Sequence, residues 1–268
     1  MEFLLKLQQG KPVYGTCITS FNPLWPKVWR GVGLDFVFLD TEHIALDRVQ
    51  VSHICQQLLG DGIYPIVRIP SPDPFRACQM IDAGAKGIVA PYLESASQIR
   101  KLVGAVKYRP LKGDKLEETL EGKNKLSPVL SEYIETHNRG SFCIANIESV
   151  PAMDRLDSLL SIEGLDAVFI GPHDLSISMG IPEQYDHPDF EAAVKQIIDT
   201  CKRNGLAVGI HFSESPERQV KWMKEGINIV IHSSDFALFY QRLKADISTI
   251  KTAHGESSNV DTGGPEAI

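Results

Sequence analysis

The chain alternates between short unbroken apolar runs and longer amphipathic stretches, and it does so eight times. The clearest run is DFVFLDTEH, Asp35 to His43, apolar until it closes on Asp40, Glu42 and His43. A run of this kind reads as a strand buried on both faces, one that meets water only where it delivers its last residues to a site. Comparable runs are Pro12–Ile18, Tyr64–Pro70, Lys86–Glu94, Ser141–Ser149, Asp166–Asp174, Leu206–Phe212 and Ile227–Asp235. Helical spacing follows each: Trp25–Gly31, Asp47–Leu59 with Gly60 as a C-cap, Pro72–Ala83, Ala96–Val106, a stretch ending near Leu160, Phe190–Asn204, Pro216–Glu225, and a last helix to Ile250. A short amphipathic helix precedes the first strand.

Eight strand-then-helix units in about 240 residues predict a single-domain (β/α)8 TIM barrel. A doubly wound sheet would not need eight near-equal units, and no G-x-G-x-x-G follows the first strand. The barrel domain is expected over residues 1–253. Within it, Tyr108–Lys125 is dense in charge with little apolar periodicity and reads as a solvated excursion (108–126), since the alternation resumes after it. The Gly-, Ser- and Pro-rich end, 254–268, reads as a flexible tail.

Composition narrows the class. At 268 residues with 43% hydrophobic and 23% charged content, the chain resembles an ordinary globular protein with a sizeable core. A net charge of -7 argues against a nucleic-acid or anionic-membrane partner. Five scattered cysteines without a CxxC pair fit a reducing compartment and give no sign of a zinc site. No run approaches the ~18 apolar residues of a membrane span, and the first residues are too polar for a signal peptide. The expected location is cytoplasmic.

In a barrel of this type the C-terminal strand ends converge on one face, where active sites are built. Reading those ends gives Glu42 and His43, Arg68, Glu94, Asn146 and Glu148, His173 and Asp174, His211, and Ser233 to Asp235. Glu148 and Asp174 matter most: neighbouring strands lie ~5 Å apart, so both carboxylates can address one spot. Two oxygen ligands without cysteine suit a hard divalent ion such as Mg2+ or Mn2+, although either acid could equally cap the next helix or pair with a lysine. Arg68 is either a structural partner of Glu42 or Glu148 or a fixed cation for a substrate carboxylate or enolate. His43 is either satisfied by backbone or a general base. No lysine ends a strand on this face, so a Schiff base lacks its nucleophile and a metal electron sink remains.

The segments FVFLDTEH, VRIP, IDAGAKGIVAPYLES, IES and FIGPHDLSISMG, in that order from Gly15 to Asp235, resemble the HpcH/HpaI family of metal-dependent pyruvate aldolases. The resemblance implies a homo-oligomeric, class II aldolase, a trimer or hexamer, acting on a 4-hydroxy-2-oxo acid to give pyruvate (or a close 2-oxo acid) and an aldehyde. Glu148 and Asp174 would hold Mg2+, Mn2+ or Co2+. Asn146, where the family more usually has Gln, and the backbone around His173 would contact the pyruvate unit together with Asp174. Arg68 would stabilise the enolate, and His43 would take the proton from the 4-hydroxyl. Asp82 matches an aspartate that supports the histidine. It should nevertheless sit at the opposite rim of its own barrel, so its partner would lie in an adjacent subunit, with Asp40 as the local alternative. The family's G-x-R-G segment after the fourth helix has only Lys112-Gly113 as counterpart. The competing readings are a related acyl-CoA lyase or decarboxylase using the same metal–enolate site, and an inactive barrel that binds a 2-oxo acid.

Overall fold

The computed structural model describes residues 2–212 and 215–256. Eight parallel strands close into a barrel in chain order: β1 (Val13–Ile18), β2 (Phe36–Asp40), β3 (Tyr64–Arg68), β4 (Gly87–Ala90), β5 (Phe142–Ile147), β6 (Ala167–Ile170), β7 (Ala207–Phe212) and β8 (Ile229–Ser234). Around them run α1 (Glu2–Gln8), α2 (Trp25–Val32), α3 (Arg48–Gly60), α4 (Pro74–Asp82) and α5 (Ala96–Lys107). The ring continues with α6 (Gly113–Leu120), α7 (Pro128–His137), α8 (Val150–Met153), α9 (Leu156–Leu160), α10 (Pro172–Ser178), α11 (Pro188–Arg203), α12 (Pro216–Glu225) and α13 (Asp235–Ala253). This is the TIM-barrel architecture expected from the alternation.

The period-2 geometry of strands divides their residues into two cores. One set, including Val37, Leu39, Val67, Ile88, Cys143, Ile147, Val168 and Ile210, packs outward beneath the helices. The other, including Phe36, Phe38, Ile66, Val89, Ile144, Phe169 and Ile231, fills the barrel interior. Phe3 of α1 closes the interior from below: its ring stacks on Tyr64 at 4.3 Å and meets Phe142 edge-on at 5.4 Å. Large rings inside a small barrel need small neighbours. A Cβ at Gly209 would come within 2.9 Å of both the Phe169 ring and the Ile229 carbonyl, so the site tolerates no side chain.

Local sequence explains the helix starts. Asp47 and Gln50 form a capping box on α3, and Ser95 and Gln98 form one on α5. The structure corrects several expected boundaries. Gly60 is the last residue of α3, not its cap, and the left-handed residue is Gly62. The charged excursion is not wholly solvated: half of it is α6, whose Leu116 and Leu120 lie against Gly104 of α5. Helix α7 was not foreseen, and the stretch ending at Leu160 is two short helices, α8 and α9. Of the expected tail, residues 257–268 lie outside the described residues, and α13 ends at Ala253 with His254 as its cap residue. No helix among the described residues is long and apolar enough to cross a membrane.

The most consequential correction concerns Asp166–Asp174. The strand stops at Ile170, and Pro172, which lacks an N–H and has a helix-ready φ, opens α10. His173 and Asp174 therefore sit in the first turn of a helix above the barrel mouth and not on a strand.

Candidate active site

Strand parity carries the site. Because Phe38, Ile66, Ile144 and Phe169 point inward, so do the residues two positions later: Asp40, Arg68, Asn146 and Gly171. Glu148 continues the same ladder one step above Asn146. Registry pairs Ile147 with Ile170, which sets Glu148 opposite Gly171. A Cβ at Gly171 would fall 3.0 Å from both Cβ and Oε2 of Glu148. Glycine here makes the niche that the carboxylate fills.

A cavity of about 320 Å³ opens at this end, lined among others by His43, Arg68, Asn146, His173, Asp174 and His211. Five of the seven residues singled out from the sequence thus meet on one hollow. Glu148 lies buried behind Asn146, which donates its Nδ2–H to Glu148 Oε2. Glu148 Oε1 accepts the backbone N–H of Tyr92 at 2.7 Å.

Arg68 serves the structural reading and leaves room for the functional one. Its Nε donates to Asp40 Oδ1 at 2.9 Å and its Nη2 to Asp40 Oδ2 at 2.6 Å, while Nε also lies 3.2 Å from Glu42 Oε2. Burial alone would raise the Asp40 carboxyl, but the bidentate guanidinium outweighs it and holds it below the usual range. Asp40 is thereby committed to Arg68. The carboxylate near the His43 ring is Glu42, whose Oε2 is 3.7 Å from Nε2.

Asp82 is elsewhere. It ends α4 at the far rim, 69% exposed, and accepts from Arg109 Nη1 at 2.8 Å. The strand-end residues Glu94 and Asp235 also hold the scaffold: Glu94 accepts from Ser149 Oγ, and Asp235 binds Thr19 and Ser20 at the end of β1. His211 is held by its Nε2–H on the Ser233 carbonyl at 3.2 Å, and burial pushes its imidazole down to about 4. Ser233 stands at φ 54 where β8 slips register against β1, a bulge at the barrel mouth.

Two participants escaped the sequence reading. Tyr92 adopts φ 55, which turns its N–H onto Glu148 and its phenol onto Glu42, and the neighbouring acid pushes that phenol up to about 12. Glu183, at φ 58, reaches back to His173 from the loop after α10. A positive φ in a non-glycine residue leaves no trace in residue type, although clusters of such strain mark functional sites.

Burial raises two carboxyls among the described residues, Asp166 at the far rim and Glu148 at the mouth, and only Glu148 has other acids adding to the shift. Burial pushes its carboxyl up to about 7, and the charges of Asp174 and Glu42 add to that, against opposition from the Tyr92 N–H and Arg68. Three acids converge where only one arginine answers them.

A sequence model of the HpcH/HpaI aldolase/citrate lyase family matches residues 14–241. The chain belongs to this family. The relatives it resembles include the 2-dehydro-3,6-dideoxy-6-sulfogluconate aldolase of Pseudomonas putida, 28% identical over 91% of this chain and 94% of that protein. The hydroxypyruvate/pyruvate aldolase of Agrobacterium fabrum is 28% identical over 91% of each chain. Among solved structures, the HpcH/HpaI aldolase from Desulfitobacterium hafniense superposes with a TM-score of 0.81 at 27% identity, covering 98% of both chains. The citrate synthase SbnG gives 0.80 at 28% identity, covering 94% of this chain and 98% of that one. As a member of the HpcH/HpaI family the protein is an enzyme of the carbon–carbon lyase class, and its relatives are named aldolases.

The family implies a divalent ion, and the residues present fit one. No group of three or more His, Cys, Asp or Glu able to hold a metal occurs among the described residues, so the protein would offer at most a pair of acids. A pair of carboxylates, Glu148 with Asp174, suits a hard cation that keeps positions open for water and substrate. A cation here would relieve the burial that raises the Glu148 carboxyl.

Proposed function

We propose that this enzyme is a divalent-metal-dependent aldolase that reversibly cleaves a 4-hydroxy-2-oxo acid to pyruvate, or a close 2-oxo acid, and an aldehyde. The observation that carries the reading is the buried Glu148 carboxylate in the niche that Gly171 leaves at the barrel mouth, with the charges of Asp174 and Glu42 near enough to raise it. Glu148 and Asp174 would hold Mg2+, Mn2+ or Co2+, which would supply Lewis acidity to the 2-oxo group.

The chain's own residues do the rest. Asn146 and the first turn of α10 orient the pyruvate unit. Arg68, fixed by Asp40, presents a guanidinium that cannot reorient and stabilises negative charge on the substrate oxygens. His43 stands at the cavity wall and takes the proton of the 4-hydroxyl. As that proton leaves, the O–H electrons form the aldehyde C=O, the C3–C4 bond breaks, and its electron pair becomes the C2–C3 double bond of the enolate. Protonation at C3 then gives pyruvate.

Pyruvate release from 4-hydroxy-2-oxo acids is expected to vanish with a chelator and return with Mg2+, Mn2+ or Co2+. Turnover that persists in excess chelator would remove the metal from this reading. We also infer a homo-oligomer. Phe236, Phe239, Leu243 and Ile250 of α13 are exposed in one chain, an apolar surface of the kind that self-association covers. A monomer in sedimentation velocity would count against it. Five free cysteines, four of them buried, support a reducing, cytoplasmic location.

A further inference from the structure

The cavity has two halves of different character. Its inner half carries Arg68 and Asn146, the groups assigned to the 2-oxo acid. Its outer half carries His43, His173, Glu183 and Tyr185, and there the aldehyde end of a substrate must lie.

The outer half is a built arrangement. Ser176, fully buried, donates its hydroxyl to the His173 carbonyl at 2.8 Å and accepts the Glu183 N–H at 3.0 Å. One hydroxyl thus ties α10 to the loop that follows it and holds Glu183 in its left-handed conformation, φ 58. The strained backbone turns the Glu183 side chain to the cavity, with Oε1 3.5 Å from His173 Nδ1. Strain of this sort persists only where surrounding contacts enforce it.

The charge inventory is one-sided. Arg68 is the single Lys or Arg among the described residues lining the cavity, and its Nε and Nη2 are engaged by Asp40. Arg218 packs against the wall, its guanidinium 5.6 Å from the Tyr185 ring centre and 5.5 Å from that of Phe212, but both of its Nη atoms bond Asp186. Against these stands Glu183 on the wall, Asp174 being assigned to the metal ion. A terminal carboxylate, sulfonate or phosphate placed in the outer half would face Glu183, with Arg68 the single described Lys or Arg on the wall and assigned to the 2-oxo acid, an arrangement that rejects by repulsion. A hydroxyl would find a carboxylate to donate to and an imidazole able to donate or accept.

We propose that the outer half of the cavity selects an aldehyde bearing uncharged hydroxyl groups over one with an anionic terminus, with His173 and Glu183 as the specificity-determining pair. The inference rests on the aldolase reading and adds the class of its second substrate.

The test is aldol addition to pyruvate at pH 8 with Mg2+ or Mn2+, comparing glyceraldehyde with glyceraldehyde 3-phosphate and with succinic semialdehyde. Glyceraldehyde should be favoured in kcat/KM by about tenfold or more, a ratio of the size one mismatched polar contact produces. Glu183→Lys, at a side chain 67% exposed and so tolerant of change, should narrow or invert the ratio, chiefly through KM for the anions. Equal or better use of either anion by the native enzyme overturns the inference, as does a ratio unmoved by Glu183→Lys. Deuterium exchange at C3 of pyruvate without any aldehyde separates the two levels. Exchange with the wrong aldehyde preference sinks only the inference, whereas no exchange sinks the aldolase reading and the inference with it.

Discussion

The two ends of the barrel handle their acids in opposite ways. At the floor, Asp35 binds Lys6 and the Tyr14 N–H, and Asp166 binds Lys107 and the Cys143 N–H. Each carboxylate there has a cation and a backbone donor of its own. At the mouth, Glu42 and Glu148 share one arginine already gripped by Asp40, and Asp174 stands exposed beside them. The floor is built as a protein that only had to fold would be built. The mouth keeps charge unbalanced, and an imbalance held in a rigid frame is available for a ligand.

Substitution can break that contrast most sharply at the mouth. Glu148→Gln should lower kcat by 10³-fold or more, on the order of 4 kcal/mol of barrel-mouth catalysis. The thermal midpoint without added metal should stay unchanged or rise, since a poorly compensated buried charge has gone. Loss of folding stability equal to the loss of activity would show Glu148 to be a scaffold residue like Asp166.

At the floor the reverse is expected. Lys107→Met leaves the half-buried Asp166 beside no cation and should destabilise the fold by about 2 kcal/mol in urea unfolding, while kcat/KM per folded molecule stays within about twofold of native, as for sites remote from the chemistry. A fall in kcat/KM without a fall in stability would erase the distinction between the two ends.

The smallest effect is a pH dependence. The folded-state imidazole of His211 is pushed down to about 4, below its ordinary value. The unfolded chain therefore binds the proton more readily, and stability must fall as pH drops from about 6.5 to about 4, flattening below that, with a loss on the order of 2–3 kcal/mol. His211→Gln should shallow that acid limb in urea midpoints measured against pH. An unchanged slope would assign the loss to other groups.

What could be read from the chain follows from the same physics. Eight strands were legible because a parallel barrel strand is apolar on both faces and so stands out as an unbroken run. The inward direction of Arg68 and Asn146 was equally available, since each lies two residues beyond an interior apolar side chain. Asp40 shares that parity, and the partner it takes is Arg68, not the expected His43. His173 and Asp174 were found but set on a strand, although Gly171-Pro172 announces a helix start. Helix α6 was illegible because only Leu116 and Leu120 mark its buried stripe, too few to register as a period. Tyr92 and Glu183 could not be read at all: a left-handed backbone is imposed by tertiary contacts and leaves the residue type unmarked. Asp82 stays at the far rim, as barrel geometry required, and its pairing with Arg109 gives it a local occupation.

Phe3, stacked on Tyr64 beneath the interior rings, has one more consequence. With the layers of Phe36, Phe38 and Phe169 above it, it leaves the barrel a blind well that opens at the mouth. Under the proposed chemistry the piece lying nearer that opening leaves first, so the aldehyde departs before pyruvate. The order of traffic would then be set by apolar rings that never touch the substrate.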